Sequence, residues 1–360
     1  MLKKIDIYII KKFLGTFAFS IFAFIWILII FDLSEKVGDF IDKKAPLNAI
    51  IFEYYLNFVP YFINMLSPLF IFISVILFTS KLAANTEIIA ILSTGISFKR
   101  LMRPYLVSAI VLAILSFALN NYIIPSANKK RLAFEEQYLF VPLQNWDKNI
   151  HKQISKGVYI YMESYSVNDN IGYQFSMEKF KNKRLENKLI SDFIKWDTTN
   201  SKWTIHNYRI RYFEKDGKER IVKGNKIDTV LPIRPADFKE RDEIVETMNL
   251  NELNAFIDKK KLQGASNVQA LLVAKYQRLA SPFAAFILTL IGVSLSSRKV
   301  RGGIGVNIGI GLLISASYIL FMQISTNFAI GSSLNPLLAV WIPNILYTII
   351  GIYLYIRAPK

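Results

Sequence analysis

Few side chains in this 360-residue sequence are spaced to carry out covalent chemistry. His151 and His206 are its two histidines, and neither has a third ligand at metal-binding spacing. The absence of cysteine removes disulfides, thiolate zinc sites and thiol nucleophiles. Glu135-Glu136 and Asp242-Glu243 are neighbours along the chain and read as solvated faces, not as opposed acid and base. No G-x-S-x-G elbow and no G-x-x-x-x-G-K-[ST] phosphate loop occurs. The sequence therefore describes a non-catalytic chain with no cofactor and no metal, so any ATP-driven work belongs to another subunit.

One segment has a chemistry of association. Lys81 to Arg100 reads as a short helix, about residues 85–95, with Asn85 as its cap and Glu87 facing the positive end of its dipole. Ile88, Ile91 and Leu92 form an apolar stripe, and Gly95 closes the helix in a left-handed conformation. Two readings fit: a connector lying on the membrane surface, or a coupling helix that docks into a cytoplasmic partner.

The elements around this segment are set by the solvent they need. Apolar residues gather in six runs, 13–31, 58–79, 104–124, 279–296, 304–325 and 337–356, each near the length that crosses hydrocarbon as a helix. The first exceeds a signal-peptide core and has no small-x-small cleavage site after it, so it is expected to stay as an anchor. Lys3, Lys4, Lys11, Lys12, Lys81, Lys99, Arg100, Arg103, Arg298, Lys299, Arg301, Arg357 and Lys360 flank one side of these runs, whereas the opposite short loops hold only Lys36, Lys43 and Lys44. The positive-inside rule then places both termini in the cytoplasm and the region between the third and fourth spans outside it. The formal charge of +17 is chiefly a topology signal, and no nucleic-acid motif accompanies it. The span interiors lack Asp, Glu, His, Lys and Arg, which argues against an ion-coupled carrier and for an apolar or amphipathic cargo.

Between spans three and four the period changes from helical to alternating. Val158–Met162, Ile171–Phe175, Trp203–Ile205 and Tyr208–Phe213 read as strands, with turns at Asn168-Asp169-Asn170, Asp216-Gly217 and Gly224-Asn225. This is an inserted all-β domain, sandwich or jelly-roll-like, spanning 126–265 between helical segments 1–125 and 266–360. Two short helices lead back to the membrane, opened by capping boxes at Asn249-x-x-Glu252 and Ser266-x-x-Gln269, with Pro282 as a kink ahead of the fourth span.

In this order, several fragments resemble the lipopolysaccharide export permease family LptF/LptG. They are Glu87 to Ser97 with its E-x-x-x-x-x-x-x-G-I-S pattern, Trp203-Thr204, Met248 to Leu253, Lys275 to Phe283, Arg298 to Gly303, and Trp341-Ile-Pro-Asn344. The resemblance implies a permease subunit of an ATP-binding-cassette transporter that extracts lipopolysaccharide from the bacterial inner membrane. It implies a cytoplasmic cassette ATPase dimer, a second LptF/LptG-type permease as heterodimer partner, and a periplasmic bridge of LptC/LptA type that receives lipid from a periplasmic β-jellyroll. Glu87, Ile88, Ile91, Leu92 and Gly95 then belong to the coupling helix. Spans one and five line the lipid cavity, with Gly305 and Gly309 as small residues on span five that pack either at the gate or inside the bundle. Lipid phosphates call for basic groups near the outer interface, and Lys36, Lys129, Lys130 and Arg131 fit, with membrane-anchoring snorkels as the competing reading. Asp32 and Lys36 make the chain more LptG-like than LptF-like. The contrasting possibility is a membrane-tethered β-domain adaptor that moves no lipid.

Overall fold

The computed structural model of the chain describes residues 3–139, 149–213, 218–238, 242–265, 267–297, 303–331 and 333–358. The turn expected at Asp216-Gly217, the cap at Ser266 and the basic turn of Arg298, Lys299 and Arg301 lie outside the described residues. Two compact units result: Met1–Phe140 with Glu246–Leu250 and Gln269–Lys360, and Val141–Val245 with Asn251–Val268.

The first unit is helical because a chain in hydrocarbon must satisfy every backbone polar group internally. Its amino-terminal part comprises α1 (Lys4–Asp42), α2 (Leu47–Ala84), the short α3 (Glu87–Ser93) and α4 (Phe98–Tyr138). At 39, 38 and 41 residues, α1, α2 and α4 are about twice the length a bilayer core requires, so polar extensions of the helices carry side chains past it. Residues 126–138 thus continue α4 and lie in the helical unit, not in the β domain expected to begin at 126. Pro125 sits just inside the α-helical segment Ile124–Tyr138, a first-turn position that proline tolerates.

After the β unit come α5 (Leu250–Leu262), α6 (Val268–Ala280), α7 (Phe283–Ser296), α8 (Gly303–Ile330) and α9 (Pro336–Ile356). Five helices among the described residues are long and apolar enough to cross a membrane, and α6 and α7, bent by 54° at a short break, are so when taken together. Pro282 lies at that break, since it has no N–H to donate to the turn before it. Near the break, Asn120 of α4 donates to Ser281 Oγ at 3.0 Å, and Asn64 of α2 donates to Asn120 Oδ1 at 3.0 Å. Asn120 lies in a π-helical turn, Leu119–Ile123, so a widened turn of α4 faces the proline break across this network.

The second unit is an antiparallel sheet of β1 (Ile150–Ser155), β2 (Val158–Met162), β3 (Ser164–Ser166), β4 (Ile171–Lys181), β5 (Arg184–Asp197), β6 (Lys202–Phe213) and β7 (Glu219–Thr229). Pairing runs β1-β2-β4-β5-β6-β7, with β3 also on β4, so the described strands follow one another as a meander. The segments 203–205 and 208–213 are one strand, β6, interrupted at Asn207, whose φ is 50°. Gly224-Asn225 is no turn: it lies within β7, where Gly224 faces Tyr208 and an added Cβ would come within 2.5 Å of the Tyr208 hydroxyl. The core face gathers Ile160, Met162, Phe175, Leu189, Ile194 and Trp203. Trp203 donates its indole N–H to the Ile233 carbonyl at 2.9 Å, satisfying the polar atom that its burial would otherwise strand.

Candidate functional site

Three groups of residues singled out by the sequence lie on the helical unit. The first is α3. Thr86, with φ of 60°, precedes it and makes no side-chain cap; Asn85 instead donates to Glu87 Oε1 at 3.2 Å. The cap expected at Asn85 is therefore corrected: a left-handed residue at Thr86 separates α3 from α2, so Asn85 steers the acid side chain and not the backbone. Gly95 adopts φ of 82°, the conformation its lack of a Cβ suits, and ends the turn. Ile88 is only 1% exposed and joins the buried cluster of Ile9, Phe13, Leu101 and Met102, with Ile91 and Leu92 packed against it. The apolar stripe thus seats α3 in a buried cluster shared by α1, α2 and α4, Leu82 and Ala83 of α2 among its members. The outward face consists of Ile89, 56% exposed, with Ala90 and Ser93, while Glu87 lies half-buried at the first position of the helix. The exposed isoleucine and the acid at the helix start offer a partner one apolar and one charged contact. Ile89 falls outside the apolar stripe at helical spacing, so periodicity alone gives no signal for it.

The second group surrounds Tyr54. Lys36 Nζ donates to Asp32 Oδ1 at 2.6 Å and to the Tyr54 hydroxyl, which in turn donates to Asp32 Oδ1 at 3.2 Å. The ammonium also lies 5.0 Å from the Tyr54 ring centroid. Phe40, Phe58 and Phe134 pack around that ring, and Phe58 leads through Phe62 to Tyr61. Arg131 sits over Tyr61 at 5.8 Å, with its Nε 3.5 Å from Glu135 Oε1. One aromatic layer therefore supports both cations, each beside a carboxylate one turn away. Lys129 and Lys130 stand on the exposed side of α4. The structure brings Lys36 and Arg131 onto a common layer. The pairing of Lys36 with Asp32 was legible as an i, i+4 spacing; the role of Tyr54 was not.

The third group is on α8. A Cβ added at Gly305 or Gly309 would meet no described atom within 4 Å, and both residues are exposed. Close packing against the other described helices of this chain falls to a third glycine. Gly311 fills that role: a Cβ there would strike Ile76 Cδ1 of α2 at 2.1 Å. Among the described residues no group of three or more His, Cys, Asp or Glu is placed to hold a metal.

Comparison with known proteins gives this arrangement a context. The family profile described as lipopolysaccharide export system permease LptF/LptG matches residues 7–357. An uncharacterized protein of Aquifex aeolicus (strain VF5) is 23% identical over 265 residues, which cover 72% of each chain.

Proposed function

We propose that this chain, which belongs to the lipopolysaccharide export system permease family LptF/LptG, is the non-catalytic membrane subunit that converts ATP hydrolysis by a separate cytoplasmic ATPase into extraction of lipopolysaccharide. It is a multi-pass inner-membrane protein of that export system. The observation that carries the coupling reading is α3, a short helix held by Ile88 in the buried cluster that α1, α2 and α4 share, with Ile89 exposed. A helix so mounted moves with the membrane helices that share that cluster.

The remaining assignments follow from that reading. The basic flanks put α3 and both termini in the cytoplasm and the β unit in the periplasm, where it hands lipid to an LptC/LptA-type bridge. The open glycine face of α8 and the exposed aromatic face of α1, with Phe19, Phe22 and Trp26, meet a second permease of the same type around a lipid cavity. Lys36 and Arg131 serve the lipid phosphates, with Lys129 and Lys130 as an outer basic rim. Asp32 and Lys36 support an LptG-like partner in the pair.

The test is Glu87→Lys in the intact complex. Loss of export, with the ATPase either released or hydrolysing ATP unproductively, is expected. Normal assembly and normal export would remove α3 from the coupling path.

A further inference from the structure

Asp6 is 1% exposed, and its two oxygens receive the fork of a single arginine. Arg100 Nη1 donates to Oδ1 at 2.7 Å and Nη2 to Oδ2 at 2.6 Å. Oδ2 also accepts the Lys3 backbone N–H at 2.7 Å, so the same carboxylate closes the first turn of α1. Paired planar groups fix both separation and orientation, which a lysine in place of the arginine would not do. The Arg100 side chain is 26% exposed, so the fork serves to fix geometry more than to add stability.

The attachment of Arg100 gives the pair a meaning beyond stability. Arg100 lies in the first turn of α4, its backbone N–H donated to the Ser97 hydroxyl at 3.3 Å. Ser97 follows Gly95, the left-handed stop of α3, by two residues. The outward helix α3 is therefore joined to Arg100 by a few residues of defined conformation, and Arg100 is joined to α1 by the fork. Beneath them, Ile88, Ile9, Phe13 and Leu101 share one buried cluster, which transmits pressure but does not fix orientation.

We infer that Asp6 and Arg100 are positioning residues that carry displacement of a docked α3 into α1. This rests on the coupling reading of α3. Neither residue touches ATP or lipid in this account; both act through the helices they join. The pair determines how much lipid moves per ATP hydrolysed, not whether the ATPase binds.

The sequence contains no cysteine, which allows a direct test in the reconstituted complex. Asp6→Asn and the double variant Asp6→Cys/Arg100→Cys should retain the ATPase subunit and its basal hydrolysis, while lipid extracted per ATP falls by about fivefold or more. Bridging the two cysteines with a short, reducible bis-thiosulfonate reagent should restore the ratio, and reductant should remove it again. A purely structural role predicts that the unfolding midpoint of the complex falls and recovers together with the ratio, whereas transmission predicts that the ratio changes at an unchanged midpoint. The inference is overturned if Asp6→Asn keeps the wild-type ratio, if it sheds the ATPase, or if the bridge restores nothing. Glu87→Lys run in parallel separates the two claims, because it reports on docking whereas the Asp6 variants report on transmission after docking.

Discussion

Lys36 Nζ lies 2.6 Å from Asp32 Oδ1 on the preceding turn of α1, and the two share the Tyr54 hydroxyl of α2. An ammonium so paired presents little net charge to a lipid phosphate until the carboxylate yields. Asp32 thus sets how strongly Lys36 attracts an anion. Asp32→Asn should raise lipopolysaccharide crosslinking at this site by up to about fivefold, the range of a partly solvated ion pair. Lys36→Gln should lower it with assembly intact. Crosslinking unchanged in both variants would remove Lys36 from the lipid site.

The two isoleucines that begin α3 should separate in their effects. Ile88 is buried under the helix, so Ile88→Ala should cost about 2–5 kcal/mol of stability, read as a lower unfolding midpoint in detergent. Ile89 is exposed, so Ile89→Ala should change stability by no more than about 0.5 kcal/mol. Its affinity for the ATPase subunit should nevertheless fall by about fivefold or more, measured by copurification at graded dilution.

The glycines of α8 divide in the same way. Gly311→Leu would drive into Ile76 and should destabilise the bundle by about 1–3 kcal/mol. Gly309→Leu has open space in this chain and should leave its unfolding midpoint unchanged. If the open face meets a second permease, Gly309→Leu should shift the purified complex toward single permeases on size-exclusion chromatography.

The β unit should be acid-sensitive through Asp237. Burial alone would raise its carboxyl, but the ammonium of Lys259 at 2.7 Å, the Arg234 backbone N–H at 2.9 Å and the charge of Lys152 outweigh burial and hold it below the usual 3.8. A carboxyl depressed in the folded state contributes stability above its unfolded value, and that stability is lost as the pH falls through 3.8 and beyond. Trp203, packed edge-on to Phe238 at 6.4 Å, reports the loss by its emission. The urea midpoint should drop on acidification in the wild-type chain. In Asp237→Asn it should start lower and change less.

These particulars show what can be read along a chain and what cannot. The spans were legible because hydrocarbon admits only long apolar helices, and β2, at Val158–Met162, because it alternates with the pleat. β5 escaped notice, since Lys188, Asp192 and Lys195 interrupt its apolar residues on the solvated face. Gly224-Asn225 has turn composition, yet the glycine is there to admit the Tyr208 ring from the neighbouring strand. An apolar stripe such as Ile88, Ile91 and Leu92 marks a covered face without saying what covers it, and here the cover is the chain itself. Asp6 and Arg100 are 94 residues apart, so their pairing exists only once α1 and α4 lie side by side.

A transfer assay with the complex purified through this chain and reconstituted in lipopolysaccharide-containing vesicles tests the extraction function most directly. An ATP-binding subunit should copurify, its hydrolysis should respond to lipopolysaccharide, and lipid should leave the vesicles for a soluble periplasmic acceptor only when ATP is hydrolysed. Recovery of the chain without an ATP-binding subunit, or with one whose rate ignores lipopolysaccharide, would contradict the account and leave a membrane-tethered adaptor in its place.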